Sequence, residues 1–380
     1  MKRIKILQIA KFYYPVKGGM ETFIYELCNE IKGKFDIKVL VANTKFKTVE
    51  DNIEGVRVRR IANLAELASN SMCLTMPYWL KREKADIVHI HLPNPTAVLS
   101  YLLVRPKGRL IVHYHSDIIR QKKVLKFYGY FLIYFLKIAD VIVATSENYI
   151  NSSPILSKFK NKCINIHLGI NPNQFKYTQQ IQKKVNLIKT NYENNIILFV
   201  GRLVYYKGVE YLIRAMKKIP ATLLIIGTGP MENDLKLLVK SVQLEDRVIF
   251  LGKVSQEDLI AYYHGCTIFC LPSIARSEAF GVVQLEAMAC GKPVVSTNLQ
   301  SGVPFVNRHN KTGLIVPPKD PEALANAINL LLGDETLRKE YGKYGKKRVR
   351  VKFNMKKIAN ELMKVYCDVM ENHCVYKKYL

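Results

Sequence analysis

The stretch SEAFGVVQLEAMACGKPVV (residues 277–295) is mostly apolar and holds just two acids, Glu278 and Glu286, with seven residues between them. Glu286 falls among Val282, Val283, Leu285, Ala287, Met288 and Ala289, in a segment that is predicted to be a buried helix because it is apolar on nearly all faces. An ionised carboxylate there costs several kcal/mol unless something hydrogen-bonds it. One reading is a structural Glu paired with a buried Arg. The other is a ligand whose vicinal diol meets both carboxylate oxygens. Glu278 precedes Gly281, just ahead of the predicted helix start. There it is placed to accept from a second hydroxylated group, while the amides of residues 279–282, among them Phe280, Gly281 and Val282, face an anion. Two carboxylates aimed at one ligand describe a polyol–phosphate–polyol, which is the chemistry of a nucleotide sugar.

The segment FVGRLVYYKGVEYLI (199–213) points the same way. Its strand ends at Gly201, and Arg202 and Lys207 flank the loop into the next helix. Two cations at the carboxyl end of a strand suit a diphosphate, Arg as a bidentate partner and Lys as a point charge. As a lone motif the pair reads equally well as a solvated surface. In KGGMETFIYEL (17–27), Gly18 and Gly19 follow the first strand and let backbone approach a ligand, or else form an ordinary tight turn. Neither this segment nor IIGTGPMEND (225–234) completes a G-x-G-x-x-G fingerprint, so a dinucleotide cofactor gains no support. IVHYHSDIIRQKK (111–123) places His113, His115 and Asp117 at and just past a strand end. Alternation turns both His to one side, as in a structural pair. No third ligand at helpful spacing is evident, so no metal site is predicted. Asp-x-Asp, the pair that commonly holds a metal-bound diphosphate, is missing from the chain, in keeping with metal-independent binding by Arg202 and Lys207.

These residues need a frame. The chain has 380 residues, which predicts two domains. Strand-like runs IKILQIA, DIKVLVA, VRVRRI, DIVHIH, RLIVHYH, DVIVATS and CINIHLG precede NIILFVG, ATLLIIG, RVIFLG, TIFCLP, PVVST and GLIVPP. Helical segments are predicted between them at 20–32, 94–104, 122–139, 146–158, 207–218, 230–242, 255–264, 282–290, 320–332 and 335–350. The alternation argues for parallel sheets with helices on both faces. The Gln- and Lys-rich stretch around 173–194 reads as an interdomain linker. The expectation is an α/β chain of two tandem Rossmann-type domains facing across a cleft, residues 1–172 and 173–353, with an amphipathic segment at 354–377 returning to the first.

With this frame in place, Glu, seven residues and Glu followed by AMACGKPVV resembles the motif of the family-four retaining glycosyltransferases, whose two-Rossmann-domain fold is called GT-B. The resemblance covers essentially the whole chain. It implies that Glu278 contacts the donor sugar, Glu286 holds the ribose hydroxyls, Arg202 and Lys207 bind the diphosphate, and the Gly18–Gly19 loop lies against it. The family carries a His that contacts the donor sugar; His115 is the matching position, with His113 the alternative. Asp117 is a candidate acceptor contact. The resemblance also implies no enzymatic nucleophile, the departing phosphate acting as base on the same sugar face.

HYHSDIIRQK and SGVPFVNRHNKTGLIVPP resemble bacterial O-antigen and polysaccharide transferases that handle mannose or D-rhamnose. This implies a GDP-sugar donor and a lipid-linked glycan acceptor; a UDP-hexose or UDP-N-acetylhexosamine donor is the alternative. A non-hydrolysing epimerase shares the fold, a phosphorylase would need pyridoxal phosphate, and a basic nucleic-acid module lacks a recognisable motif. Charge supports an anionic setting: 58 Lys and Arg against 31 Asp and Glu, net +27. Between Arg105 and Lys137 the only acid is Asp117, and Arg120, Lys122, Lys123 and Lys126 precede Phe127, Tyr130, Phe131 and Tyr134. That composition predicts a basic-aromatic helix on an anionic membrane. The alternative is a solvated face over a core stripe. No signal peptide or spanning segment is evident, and the eight Cys lack a C-x-x-C pair. These features predict reduced thiols and a cytoplasmic protein, peripheral on the inner face of the membrane.

Overall fold

A computed structural model of the chain describes residues 3–16, 18–67, 70–118, 122–192 and 195–371, without the side chains of 66, 67, 70 and 122–127. Arg120 therefore lies outside the described residues, as do the side chains of Lys122, Lys123, Lys126 and Phe127. The chain divides into two compact units, Met1–Leu168 with Met355–Leu380, and Gly169–Asn354.

In the first unit the strands are β1 (Lys5–Ile9), β2 (Asp36–Ala42), β3 (Val49–Ile53), β4 (Val56–Ile61), the two-residue pair β5 (Glu66–Leu67) and β6 (Asn70–Ser71), β7 (Ile87–Leu92), β8 (Arg109–Tyr114), β9 (Val141–Ala144) and β10 (Cys163–Asn165). Among the described residues eight of them form one sheet in the order β10-β9-β8-β7-β1-β2-β4-β3. Every pairing in it is parallel except β3 with β4. Central strands such as β7 and β9 are buried along their whole length, as strands covered on both faces must be. The helices are α1 (Gly19–Ile31), α2 (Met76–Arg82), α3 (Pro95–Val104), α4 (Lys122–Ile138) and α5 (Glu147–Ser152), joined by the C-terminal helix Met355–Glu371. That last helix buries Ile358, Leu362, Val365, Tyr366 and Val369 along one stripe and packs on α1.

The second unit carries β11 (Ile196–Val200), β12 (Thr222–Ile226), β13 (Val248–Gly252), β14 (Ile268–Leu271), β15 (Val294–Thr297) and β16 (Gly313–Val316). They form a parallel sheet in the order β13-β12-β11-β14-β15-β16, which is the doubly wound 3-2-1-4-5-6 winding. Its helices are α6 (Gln179–Asn191), α7 (Val209–Ala215), α8 (Glu232–Ser241), α9 (Gln256–Gly265), α10 (Val282–Ala289), α11 (Val303–Val306), α12 (Pro321–Gly333) and α13 (Glu335–Lys352). In such a sheet, ligands bind at the carboxyl ends where the order reverses. That point is β1/β7 in the first unit and β11/β14 in the second.

Three sequence-based expectations need correction, and one strand of the main sheet was not foreseen. The stretch read as a linker at 173–194 contains α6, which is capped by Thr178, buries Ile181, Val185 and Ile188, and packs on α9. Its polar residues are the outer face of an amphipathic helix. The helix predicted at 146–158 stops at Ser152. Ser153 is held extended by the following Pro154, and a 3₁₀ segment resumes at Leu156–Lys162. The helix predicted from 207 starts at Val209, because Gly208 adopts a left-handed conformation that puts Lys207 in the preceding turn. Strand β3 was not anticipated. Its inner residues Glu50, Asp51 and Asn52 are exposed at the sheet edge, where they pair in register with Arg59, Val58 and Arg57.

The seven described cysteines are unpaired, and five of them are buried. No helix among the described residues is long and apolar enough to cross a membrane.

If the C-terminal helix is part of the first unit's core, emptying its stripe must weaken that unit. Leu362 is fully buried. Leu362→Ala is expected to cost about 2–5 kcal/mol in denaturant unfolding. An unchanged midpoint would show that the helix is only loosely attached.

Candidate active site

The loop after β11 and the loop after β14 meet in the second unit. Gly208 has φ +63°, and a Cβ there would stand 2.2 Å from the carbonyl oxygen of Pro272, the residue following β14. Only glycine lets these two backbones touch. Their contact delivers Lys207 to Glu278: Nζ lies 2.5 Å from Oε2, and both side chains are buried. Ser273 Oγ donates to the same Glu278 oxygen at 3.0 Å, and Thr297 Oγ1 holds the Ser273 carbonyl. Burial works against the Lys207 ammonium, but Glu278, Tyr206 and Glu286 outweigh it, and its pKa lies above the ordinary lysine value. Lys207 is thus a fixed cation. Arg202 is exposed, two residues beyond the strand end.

Gly281 is the left-handed residue that starts α10, with φ +73°. A Cβ on it would strike Gln284 and Leu271 at 2.7 Å, so the helix N-terminus packs down onto β14. The Phe280 side chain is core, edge-on to Phe353, which leaves its backbone as what it can offer a ligand. One turn into α10, Glu286 is half-buried and accepts a 2.6 Å hydrogen bond from Tyr263 Oη of α9. Burial raises its pKa above the ordinary carboxylate value, while Tyr263 and Lys207 pull the other way. A structural Arg partner for Glu286, the alternative considered from sequence, is not what the fold supplies; its partner is a phenol.

In the first unit Gly18 caps α1 in extended conformation just after β1 and its loop, with Gly19 the first helical residue. His113 lies on β8 with 0 % exposure, and His115 stands one residue past the strand end at 6 %. Asp117 is clasped: its carboxylate accepts from Tyr114 Oη at 2.8 Å and Ser153 Oγ at 2.7 Å, and its N–H donates to Tyr149 Oη. Those bonds hold the loop after β8.

The expectation that no third ligand accompanies the His pair is also corrected. The neighbouring strand β7 contributes His89 and His91, and one nitrogen from each of His89, His91 and His113 lies within 4.8 Å of the others. A metal lies near the plane of every imidazole that binds it. Here the rings stack along each strand, His113 on His115 at 4.3 Å and 2°, His89 on His91 at 4.5 Å and 28°. His91 also has both nitrogens engaged, by Gln8 and His115. The rings are therefore stacked and not arranged as a preset metal site, although both nitrogens of His113 are without a hydrogen-bond partner among the described residues.

Comparison with known proteins decides the family. The profile described as "Glycosyltransferase Family 4" matches residues 17–172, and "Glycosyl transferases group 1" matches 179–348. The chain is 31% identical over 373 residues to O-antigen chain mannosyltransferase C of Escherichia coli, covering 97% of this chain and all of that one. The chain belongs to glycosyltransferase family 4. It is also 32% identical over 355 residues to a D-rhamnosyltransferase of Pseudomonas aeruginosa, covering 92% of each chain. Among solved structures, sucrose-phosphate synthase from Thermosynechococcus elongatus superposes with a TM-score of 0.81 at 24% identity, covering 97% of this chain and 99% of that one. An Anabaena protein in complex with UDP-glucose gives 0.77 at 20%, covering 96% and 99%. These likenesses establish the GT-B fold of two Rossmann-like domains. This glycosyltransferase is accordingly a nucleotide-sugar-dependent, retaining enzyme.

Sequence reading missed three residues at the site: Tyr263, Ser273 and Thr297. Each acts from a different element through one hydroxyl, and nothing in its own neighbourhood marks it. Tyr263→Phe keeps the ring but leaves Glu286 without its donor. Loss of a hydrogen bond to a charged group is worth about 1.5–3 kcal/mol. Weaker binding of GDP or UDP by ten-fold or more in titration calorimetry is the expected result; unchanged affinity would show that Tyr263 serves packing only.

Proposed function

We propose that this family 4 enzyme transfers a mannose-like hexose from a GDP-sugar to a hydroxyl of a lipid-linked glycan during assembly of a bacterial surface polysaccharide. The names of the E. coli and P. aeruginosa relatives support the donor and the pathway. The observation that carries the reading is the buried Lys207–Glu278 pair at the switch point of the second sheet, with Glu286 one turn into the adjoining helix. Cleaving the anomeric bond develops negative charge on the leaving diphosphate. Lys207, Arg202 and the amides that open α10 at Gly281 and Val282 are placed to stabilise it without a metal. Glu278 receives hydroxyls of the donor sugar, and Glu286 receives the ribose diol. The family resemblance assigns a further sugar contact to His115 and a diphosphate contact to the Gly18–Gly19 turn.

Two experiments test this. Adding GDP, UDP, ADP or dTDP to the purified protein should raise its melting temperature most with GDP, because a ligand of the folded state alone adds to its stability. Glu286→Gln should remove that shift, and Lys207→Ala should lower turnover by at least about 10²-fold in buffer containing excess EDTA. A shift with UDP alone would transfer the reading to a UDP-sugar. Loss of wild-type activity in EDTA, restored by Mg²⁺, would overturn the metal-free account.

The acceptor reading rests on the surface of the first unit. Helix α4 turns Tyr128, Leu132, Phe135 and Leu136 inward. It leaves Tyr130 81 % exposed, with Phe131 and Tyr134 also outward, and the packed α3 exposes Leu99 and Leu103. The guanidinium of Arg105 covers the Tyr134 ring at 4.9 Å. Exposed aromatic rings beside Arg105, Lys107 and Lys137 suit an anionic bilayer surface, where each cation adds about 1 kcal/mol. Co-sedimentation with anionic vesicles should be salt-sensitive and should weaken in Tyr130→Ser with Phe131→Ser. Indifference of the wild type to such vesicles at low salt would favour an acceptor free in solution.

A further inference from the structure

Three of the four stacked imidazoles of the first unit, His89, His91 and His115, belong to one directed hydrogen-bond chain. Gln8 of β1 is in register with His89 of β7, and His91 is in register with His113 of β8, so these side chains share one face of the sheet. The C-terminal helix covers that face with Tyr366, and α1 covers it with Phe23, whose ring meets His113 and His115 edge-on. Gln8 Nε2 donates to Tyr366 Oη at 3.0 Å, and Tyr366 Oη lies 2.7 Å from His89 Nδ1. His91 Nε2 lies 2.9 Å from Gln8 Oε1, and His91 Nδ1 lies 3.0 Å from His115 Nε2.

The proton positions follow from what each atom can do. An amide oxygen only accepts, so His91 carries its proton on Nε2. Burial, reinforced by the neighbouring imidazoles, holds His91 well below the ordinary histidine pKa, so it is neutral and its Nδ1 is a bare lone pair. A lone pair there requires the proton of His115 on Nε2. Burial pushes His115 down to about 3, so it too is neutral, and its Nδ1 is bare. That Nδ1 is buried and has no hydrogen-bond partner among the described residues. At the other end, Tyr366 Oη accepts from Gln8 and passes its own proton to His89 Nδ1. Reversing the single amide of Gln8 would invert every bond in the chain, and His115 would present an N–H instead.

We propose that Gln8, His91 and Tyr366 are positioning residues that fix the tautomer of His115, with its proton on Nε2 and its Nδ1 left as a hydrogen-bond acceptor. The benefit to transfer rests on His115 touching the donor, as proposed above; the tautomer does not.

Long-range ¹H–¹⁵N spectra of the histidine-labelled, ligand-free protein report the tautomer directly, with the His115 signals identified by their loss in His115→Gln. The wild type should show His115 protonated on Nε2. Gln8→Met removes both amide contacts and should let the two tautomers mix. Its kcat should fall about three- to ten-fold, the worth of one neutral hydrogen bond, while the melting shift with GDP or UDP stays unchanged. Tyr366→Phe, the milder change, frees the Gln8 amide to turn and should act in the same direction. A His115 proton on Nδ1 in the wild type overturns the proposal whatever the sugar contact. A tautomer that mixes in Gln8→Met without any change in kcat instead removes His115 from the donor site.

Discussion

One buried ion pair constrains the second unit. Neither the Lys207 ammonium nor the Glu278 carboxylate can be desolvated alone without losing several kcal/mol, so each is stable in that place only because the other is there. The pair forms because two loops far apart in sequence leave adjacent strands, and β11 and β14 are adjacent because the winding reverses between them. Glycine at 208 follows from the same contact, since any side chain would collide with Pro272. The chemistry, the loop packing and the strand order are therefore one constraint seen at three scales. In the proposed reaction its value is preorganisation: the cation that meets the leaving diphosphate is already in place and already dehydrated.

The two acids of the motif are held in different ways, and the difference matters. Glu278 is matched by a full positive charge and a serine hydroxyl. Glu286 has a phenol, and Lys207 only at longer range, so its carboxylate remains the less satisfied of the two. A carboxylate offers about four lone-pair directions, and Tyr263 occupies one of them. Capacity left on a half-buried acid is what recognition of a neutral diol requires. A second salt bridge at Glu286 would have used up that capacity.

Much of this was legible in the sequence. Runs of Ile, Val and Leu marked thirteen strands because a sheet covered on both faces needs continuous apolar segments. The acid in an apolar helix marked Glu286 because such a placement needs a reason. What escaped was set by tertiary context. Strand β3 carries edge-strand polarity and lacks an apolar signature. Helix α6 looked like a linker because its three buried residues are spread among ten polar or exposed ones. Tyr263, Ser273 and Thr297 act through contacts that only the folded chain creates. The imidazole stack was within reach, since DIVHIH and RLIVHYH both alternate His with apolar residues. Recognising it needed the knowledge that those two strands are neighbours in register.

The two units use the same winding to opposite electrostatic ends. In the second unit the switch point presents formal charges, Lys207 against Glu278 with Arg202 beside them. In the first it presents Gln8, His89 and His91, and burial keeps each imidazole neutral: His89 is pushed down to about 3 and His91 well below its ordinary value. A buried ion pair acts through charge, which tolerates many geometries. Fixed tautomers do the reverse, since each ring nitrogen is either donor or acceptor and a wrong partner leaves a buried polar atom unmatched, at about 1–3 kcal/mol. In the proposed reaction the charged switch point serves the leaving diphosphate, whereas the neutral one is organised by directed hydrogen bonds. The Tyr366 contact ties that neutral network to the C-terminal helix, a segment remote in sequence from every residue of the motif.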